Sequence, residues 1–387
     1  MENKSSKLGI IGLTVFLTLA LVAAGIGIYF KTSGKVIVDE KDFEEVVEQQ
    51  EDMQKFYRIQ NRIDENFLFD YDKEEEMENI YRAMLDSLGD PYSRYLDEED
   101  VKDLEATLNN SFSGVGIVIE RREDGAFVVL SVIPEGPAEK ADVQPGDIIL
   151  KVDGTEYEYL DEVANAIRGE TGTTVAIEFQ RDKETMEKKL VRGQITEASI
   201  TTNTLEGNIG YIHINSFGRE TFDKFNAALT GFEDSGAKGV IIDLRNNPGG
   251  LMDGGIKIAD RILPECLITY TEDNKGNREE YYSDGATTAL KIVVIINGNT
   301  ASASELLASA IKDNGAGTII GTTSFGKGIV QETTMFGDGT AMSITTNQYF
   351  SPKGNVIHGK GVEPDIVVEP TSTTEDVQLK AAIEALN

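Results

Sequence analysis

The sequence predicts an α/β fold, a layered core around a buried sheet, interrupted by a compact β-rich module and preceded by helices. Three observations carry this. Apolar strand-like runs alternate with helical stretches from Ile209 onward. Short strands and glycine turns fill Ser111 to about Val191, and apolar residues recur at three- and four-residue spacing from Asp39 to Tyr95. These textures divide the chain into residues 1–35, an apolar N-terminal segment; 36–105, helical; 106–188, the module; 189–375, the α/β core; and 376–387, a closing helix.

The N-terminal segment is read first. Leu8 to Phe30 holds no charged residue, and these 23 positions, at about 1.5 Å each, suffice to cross a hydrocarbon layer of roughly 30 Å. Lys4 and Lys7 precede it and acidic residues dominate after it, which favours an N-inside, single-pass anchor in the cell membrane with everything from about Lys35 outside the cytoplasm. The alternative is a cleaved signal peptide and a secreted product, since Val22-Ala23-Ala24 supplies small residues near a cut.

Two amphipathic helices follow. Phe43, Val46, Val47, Met53 and Tyr57 mark one; Met77, Ile80, Tyr81, Met84, Leu85 and Leu88 mark the other, which Gly89-Asp90-Pro91 stops. In the module, "GVGIVIE" and "AFVVLSVI" read as strands, "GPAEKA" as a short helix, "GDIILKVDGTEY" as a hairpin, "YLDEVANAIRG" as a helix and "TVAIEFQR" as a last strand. In the core, "GYIHINSF", "KGVIIDLR", "KIVVIING" and "GTIIGTT" read as strands, with helices from Glu220 to Ser235, after Gly254, and from Ser304 to Lys312. The tail "EDVQLKAAIEAL" is helical.

Composition narrows the function classes. The net charge of −31 is spread along the chain, basic patches are absent, and a nucleic-acid partner is excluded on that ground. One cysteine, Cys266, allows no internal disulfide and no zinc spacing, and no metal or cofactor is expected.

Chemistry is concentrated in three segments. "TASASELLASAIKDNG", Thr300 to Gly315, places three serines at the start of a helix. The only histidines, His213 in an alternating strand and His358 in a glycine-rich hairpin, read as structural, so a lysine is the candidate base. It can act only when neutral, which requires burial or nearby positive charge. Lys327 in "GTTSFGKGIVQ" lies between glycines that let the backbone carry its amine into a dry site. "VIIDLRNNPGG" runs an apolar strand into a glycine pair, leaving the amides of Gly249 and Gly250 as candidate donors to a developing oxyanion.

Together "SLGDPYSRYL", "DLRNNPGGL", "NTASASE", "TSFGKGIVQ" and "SPKGNVIHGKGVEPDIVV" resemble the carboxyl-terminal processing, or tail-specific, serine proteases, in order and spacing from about Ile59 to the end. The resemblance implies a crotonase/ClpP-like protease core. It implies a serine and a lysine 25 positions apart, which selects Ser302 and Lys327, with Gln331 orienting the lysine. It places the oxyanion donors in the glycine pair Gly249 and Gly250 and at Ala303, and offers Asp313 as an aspartate near the site.

"FSGVGIVIE" and "VIPEGPAEKADVQPGDIILKVDG" resemble a PDZ domain. That resemblance implies that amides around Gly114, Val115, Gly116 and Ile117 capture a C-terminal carboxylate while the next strand edge pairs with the peptide. Arg168 is a further candidate for the groove, or else a solvated helix-end cation. The reading is a membrane-anchored serine endopeptidase with a Ser-Lys dyad that takes proteins by their C-terminal tails and forms an acyl-enzyme. A homodimer is expected through the helices before Leu68 and the C-terminal helix. The rivals are a scaffold that has lost its chemistry and a thioester-processing enzyme on the same α/β frame.

Overall fold

The structure is a computed structural model describing residues 40–387 except 123, 197, 372–374 and 387, with side chains from Met53 onward other than that of Asp161. The expected anchor, Leu8 to Phe30, lies outside the described residues. Among the described residues no helix is long and apolar enough to cross a membrane. The chain forms two compact units that meet in sequence at Glu76 and Met77.

Helix α1 (Glu40–Asn66) belongs to the first unit, and α2 (Lys73–Asp86) contains the junction. Gly89, with φ at 69°, lies in the turn that ends α2, as the Gly89-Asp90-Pro91 punctuation predicts. Strand β1 (Arg94–Leu96) leads to α3 (Glu98–Leu108). Asp97 caps α3 by accepting from the amides of Glu99 and Asp100, while the Asp100 carboxylate accepts from the Asp97 amide. Arg82 reaches from α2 to both carboxylates.

The module contains β2 (Ser111–Gly114), β3 (Ile117–Arg121), β4 (Phe127–Val132), α4 (Pro137–Lys140), β5 (Ile148–Val152), α5 (Leu160–Ile167), β6 (Thr174–Arg181), β7 (Glu184–Val191) and β8 (Gly193–Thr196). Its sheet runs β3-β4-β5-β6-β7, all antiparallel, and β2 pairs with β8 in a separate ribbon. Val129, Val152, Val175, Ile177 and Phe179 are fully buried between sheet and helices. Asp147 is buried too, and Arg181 meets its two carboxylate oxygens at 2.6 and 2.8 Å, supplying the pairing a buried charge requires.

Two features differ from the sequence reading. "GDIILKVDGTEY" is not a regular hairpin: β5 pairs with β4 and β6, and Val152 and Thr155 form only an isolated bridge. "TVAIEFQR" is not the last strand, because the charged run "ETMEKKLV" continues the sheet as β7. Lys188 hides the pattern; it is half-buried and donates its amine to the Ala141 carbonyl at 2.6 Å.

The core follows as β9 (Ile200–Leu205), β10 (Ile209–Ile214), α6 (Thr221–Asp234), β11 (Gly239–Asp243), α7 (Met252–Ile262), β12 (Leu267–Asp273), β13 (Arg278–Tyr282), β14 (Lys291–Ile296), α8 (Ala303–Asp313), β15 (Gly317–Gly321), β16 (Ile329–Met335), β17 (Ala341–Phe350), β18 (Ile366–Val367) and α9 (Val377–Leu386). The main sheet has the order β18-β15-β14-β11-β10-β9, parallel except for the β9–β10 pair. Alternate residues of its strands enter two cores. Val240, Ile242, Val294 and Ile296 meet α6, α7 and α8 on one face; Ile241, Val293 and Ile295 meet α9 on the other. Strands covered on both faces read as unbroken apolar runs, which makes them legible in the sequence.

A second sheet, β1-β17-β12-β13 with β16 also on β17, is antiparallel. Its strands carry Thr, Glu, Gln and Asn among their apolar residues and left no clear signal in the sequence. Phe225 of α6 is fully buried beneath the main sheet. Phe225→Ala is expected to lower unfolding free energy by about 3–5 kcal/mol in chemical denaturation; a loss below about 1 kcal/mol would contradict this account of the core.

Candidate active site

Three parallel strands deliver the candidate residues at their carboxyl ends. After β11 the chain turns through Asn246 to Gly250; after β14 it runs through Thr300 to Ser302; after β15 it reaches Lys327. Ligand sites of open α/β sheets form at this edge.

The β11 turn is built by Asn247, which is fully buried. Its Nδ2 donates to the Ile214 carbonyl at 2.8 Å, and its Oδ1 accepts from the Gly249 amide at 2.8 Å. The Asn247 carbonyl accepts from the Ala301 amide at 3.0 Å and from Ser304 Oγ at 3.2 Å, fastening this turn to the start of α8. Glycine is required at 249: φ is 101°, and a Cβ there would lie 2.7 Å from Ser302 Cβ and 2.8 Å from the Ala301 carbonyl oxygen. The backbone of the turn therefore lies directly against Ser302.

Ser302 precedes α8 with φ 56° and ψ −120°, a conformation costly for a residue with a side chain. Ser302 holds the cap position of α8, and Ser304 lies inside the helix, its Oγ donating to the Asn247 carbonyl. Strain at Ser302 is held by Glu305, a fully buried carboxylate. Glu305 Oε2 accepts from the Ser302 amide at 2.9 Å and the Lys327 amide at 2.8 Å; Oε1 accepts from Ser324 Oγ at 2.5 Å and the Gly326 amide at 2.7 Å. Four donors compensate the burial of one charge.

A second tie runs through Tyr349 of β17. Its hydroxyl lies 2.8 Å from the Ser302 carbonyl oxygen and 2.7 Å from that of Lys327. Burial, and next the charge of Glu305, raise the Tyr349 phenol far above its ordinary pKa, so it remains a donor. Glu305 and Tyr349 thus clamp the two candidate backbone segments together. Neither Glu305 nor Tyr349 is singled out by the sequence reading; the sole advance signal was an acid three residues after the serine.

Lys327 is half-buried, and burial is the largest influence lowering its amine below the ordinary value; Asp90 opposes this and Arg94 adds to it. No hydrogen bond joins its Nζ to Ser302 Oγ; Nζ instead lies 4.3 Å from the centre of the Tyr92 ring. Gln331 Nε2 donates to Thr345 Oγ1 at 3.0 Å, and no hydrogen bond joins Gln331 to Lys327 Nζ among the described residues. Asp313 turns away, accepting from Ser351 Oγ at 2.5 Å and the Lys353 amide at 3.0 Å. His213 faces the Arg245 carbonyl, with 3.4 Å between them.

Among the three oxyanion candidates, Gly249 is corrected: its amide is engaged by Asn247. The amides of Gly250 and Ala303 donate to no described residue. In the module, the amides of Val115 and Gly116 are likewise unengaged among the described residues, while the Val115 and Gly116 carbonyls accept from Ala138 and Ile133. Gly114 lies in the β2–β8 ribbon, and Ile117 begins β3, the edge strand beside α5. Arg168 is exposed and donates its backbone amide to the Ala164 carbonyl; Arg192 closes the end of α5, donating to the Ala166 and Ile167 carbonyls at 2.9 Å.

Comparison with known proteins defines the class. Residues 208–368 match the model of peptidase family S41, residues 128–181 that of the PDZ domain, and residues 21–100 that of the N-terminal domain of the activating protease CtpB. The molecule is a serine-type C-terminal processing peptidase with a PDZ domain.

The chain is 35% identical to the carboxyl-terminal-processing protease of Synechocystis sp., covering 81% of this chain and 77% of that one. It is 37% identical to the carboxy-terminal-processing protease of Bartonella bacilliformis, covering 81% and 74%. The solved photosystem II D1 C-terminal processing protease is similar with a TM-score of 0.54 at 29% identity, over 84% of this chain and 89% of that one. The chain belongs to the carboxyl-terminal processing protease family.

Replacing Glu305 by glutamine retains its size but turns an amide group toward two of the four donors. Glu305→Gln is expected to lower kcat/KM at least about 100-fold and to lower Tm, because charge-assisted bonds of this kind contribute about 1.5–3 kcal/mol each. Unchanged peptide hydrolysis by a folded Glu305→Gln protein would refute the clamp.

Proposed function

We propose that this protein is a membrane-anchored serine endopeptidase that uses a Ser302–Lys327 dyad and selects proteins by their C-terminal tails. The observation that carries the reading is the pair of ties, Glu305 and Tyr349, that hold the Ser302 and Lys327 segments side by side. Neutral Lys327 takes the hydroxyl proton as Ser302 Oγ bonds to the scissile carbonyl carbon. The carbonyl oxygen becomes an oxyanion facing the free amides of Gly250 and Ala303. As the C–N bond breaks, the Lys327 ammonium returns the proton to the leaving amine. Water, deprotonated by the same amine, then cleaves the acyl-enzyme ester and regenerates the serine. Gln331 orients Lys327 when the amine has moved to Ser302.

The amides of Val115 and Gly116 capture the substrate's terminal carboxylate, and the open edge of β3 takes the tail as an added strand. Leu8 to Phe30 anchors the protein with its catalytic part outside the cytoplasm, and the amphipathic α1 and the C-terminal α9 support homodimerisation.

Ser302→Ala and Lys327→Ala are each expected to reduce kcat by about three orders of magnitude or more, and the double variant to be no worse than either, since members of one catalytic unit are not additive. Retained hydrolysis in either single variant would remove it from the reaction. Because the base works only when neutral, kcat/KM should rise with pH along a limb lying below the ordinary lysine pKa of 10.5; a limb that falls as pH rises through the same range would contradict Lys327 as base. Amidating the C-terminus of a tail-bearing substrate should raise KM with little change in kcat, and equal KM values would contradict carboxylate capture.

A further inference from the structure

The motif "SLGDPYSRYL" has no role in the dyad reading, yet it places an aromatic ring over the Lys327 amine. Asp90 shapes the turn: its carboxylate accepts from the Tyr92 amide at 3.1 Å and from Ser93 Oγ at 2.6 Å. Ser93 Oγ in turn accepts from the Thr345 amide at 3.0 Å, docking the turn on β17. Burial alone would raise the Asp90 carboxyl, but hydrogen bonds from Ser93 and Thr345 outweigh it and keep the group below its ordinary pKa. Tyr92, half-buried at the tip, thereby lies over Lys327 Nζ, 4.3 Å from ring centre to nitrogen.

An aromatic face attracts an ammonium through its quadrupole and has no comparable attraction for a neutral amine. Nζ has no hydrogen bond or ion pair among the described residues, and the ring is in contact with it. We propose that Tyr92 is a positioning residue for the base: its ring holds the charged Lys327 amine off Ser302 and releases it when the proton is lost. The inference rests on the dyad reading and adds a reason for the separation of Nζ and Oγ. Proton loss removes the attraction to the ring and makes the amine competent to accept the serine proton, so release and activation are one event.

Other groups around the lysine fix the sign of the effect. Asp90 favours the charged amine and Arg94 the neutral one. Glu305 holds the Lys327 amide, Tyr349 its carbonyl, and Gln331 and Thr345 are bonded to one another. Removing the ring withdraws stabilisation from the ammonium alone, so the rising limb of kcat/KM should move to lower pH.

The test is the pH profile of kcat/KM for the full chain with a tail-bearing peptide. Tyr92→Leu should move the limb down by about 0.5–1 pH unit, raising activity several-fold below the midpoint, whereas Tyr92→Phe should remain close to the unaltered enzyme. If Tyr92→Leu fails to fold, site-specific replacement of Tyr92 by Phe and then by phenylalanines of increasing ring fluorination keeps the shape and weakens the quadrupole, and the limb should descend with each fluorine. A limb that stays in place or rises through that series, with Lys327→Ala inactive, overturns the Tyr92 inference and leaves the dyad standing. Full activity in Lys327→Ala overturns both.

Discussion

One buried carboxylate organises the catalytic edge of this molecule. Glu305 has no exposed surface, and its two oxygens receive the backbone of Ser302, the backbone of Gly326 and Lys327, and the Ser324 hydroxyl. An ionised group in such a place is tolerable only with its acceptors filled. The loop after β15 must therefore close over the start of α8 for Glu305 to be satisfied. Correct folding and assembly of the site are consequently the same event. Ser302's left-handed φ is maintained because every neighbour of the residue is already fixed.

The PDZ module is joined to this edge through its neck. Asn109 accepts from Arg219 Nη1 at 3.1 Å, the Leu108 carbonyl accepts from the Arg219 amide at 3.0 Å, and Asn110 accepts from Ser216 Oγ. Between Ser216 and Arg219 lies Phe217, whose amide donates to the Gly249 carbonyl at 2.8 Å and whose carbonyl accepts from the Leu251 amide at 2.7 Å. A continuous set of hydrogen bonds thus leads from the root of the module to the glycine turn carrying the free Gly250 amide.

Legibility in the sequence followed the range of the interactions involved. The main sheet was visible because both its faces are covered, which writes Val and Ile runs into the chain, and Gly89-Asp90-Pro91 and the PDZ strands were visible through local turn chemistry. The antiparallel second sheet was not, since its polar strands make sense only when paired, and β7 was concealed by its charged run "ETMEKKLV". At the site, the motifs "NTASASE" and "TSFGKGIVQ" pointed to Ser302 and Lys327 through family resemblance, and glycine flexibility explained why Lys327 could reach inward. Tyr349 and Tyr92 were silent, because each acts on residues distant in sequence, and so was the reach of Glu305 to Ser324, Gly326 and Lys327. Gln331 and Gly249 were assigned by resemblance; in this structure the Gln331 Nε2 donates to Thr345 and the Gly249 amide donates to Asn247.

The central claim, that Ser302 attacks the peptide carbonyl within this clamp, is tested most directly by acid-quenching the unaltered enzyme within its first turnover of an activated peptide ester and mapping the covalent adduct by mass spectrometry. The account predicts the acyl fragment on Ser302. An adduct on Ser304, Ser309 or any other residue, with hydrolysis proceeding normally, would contradict it.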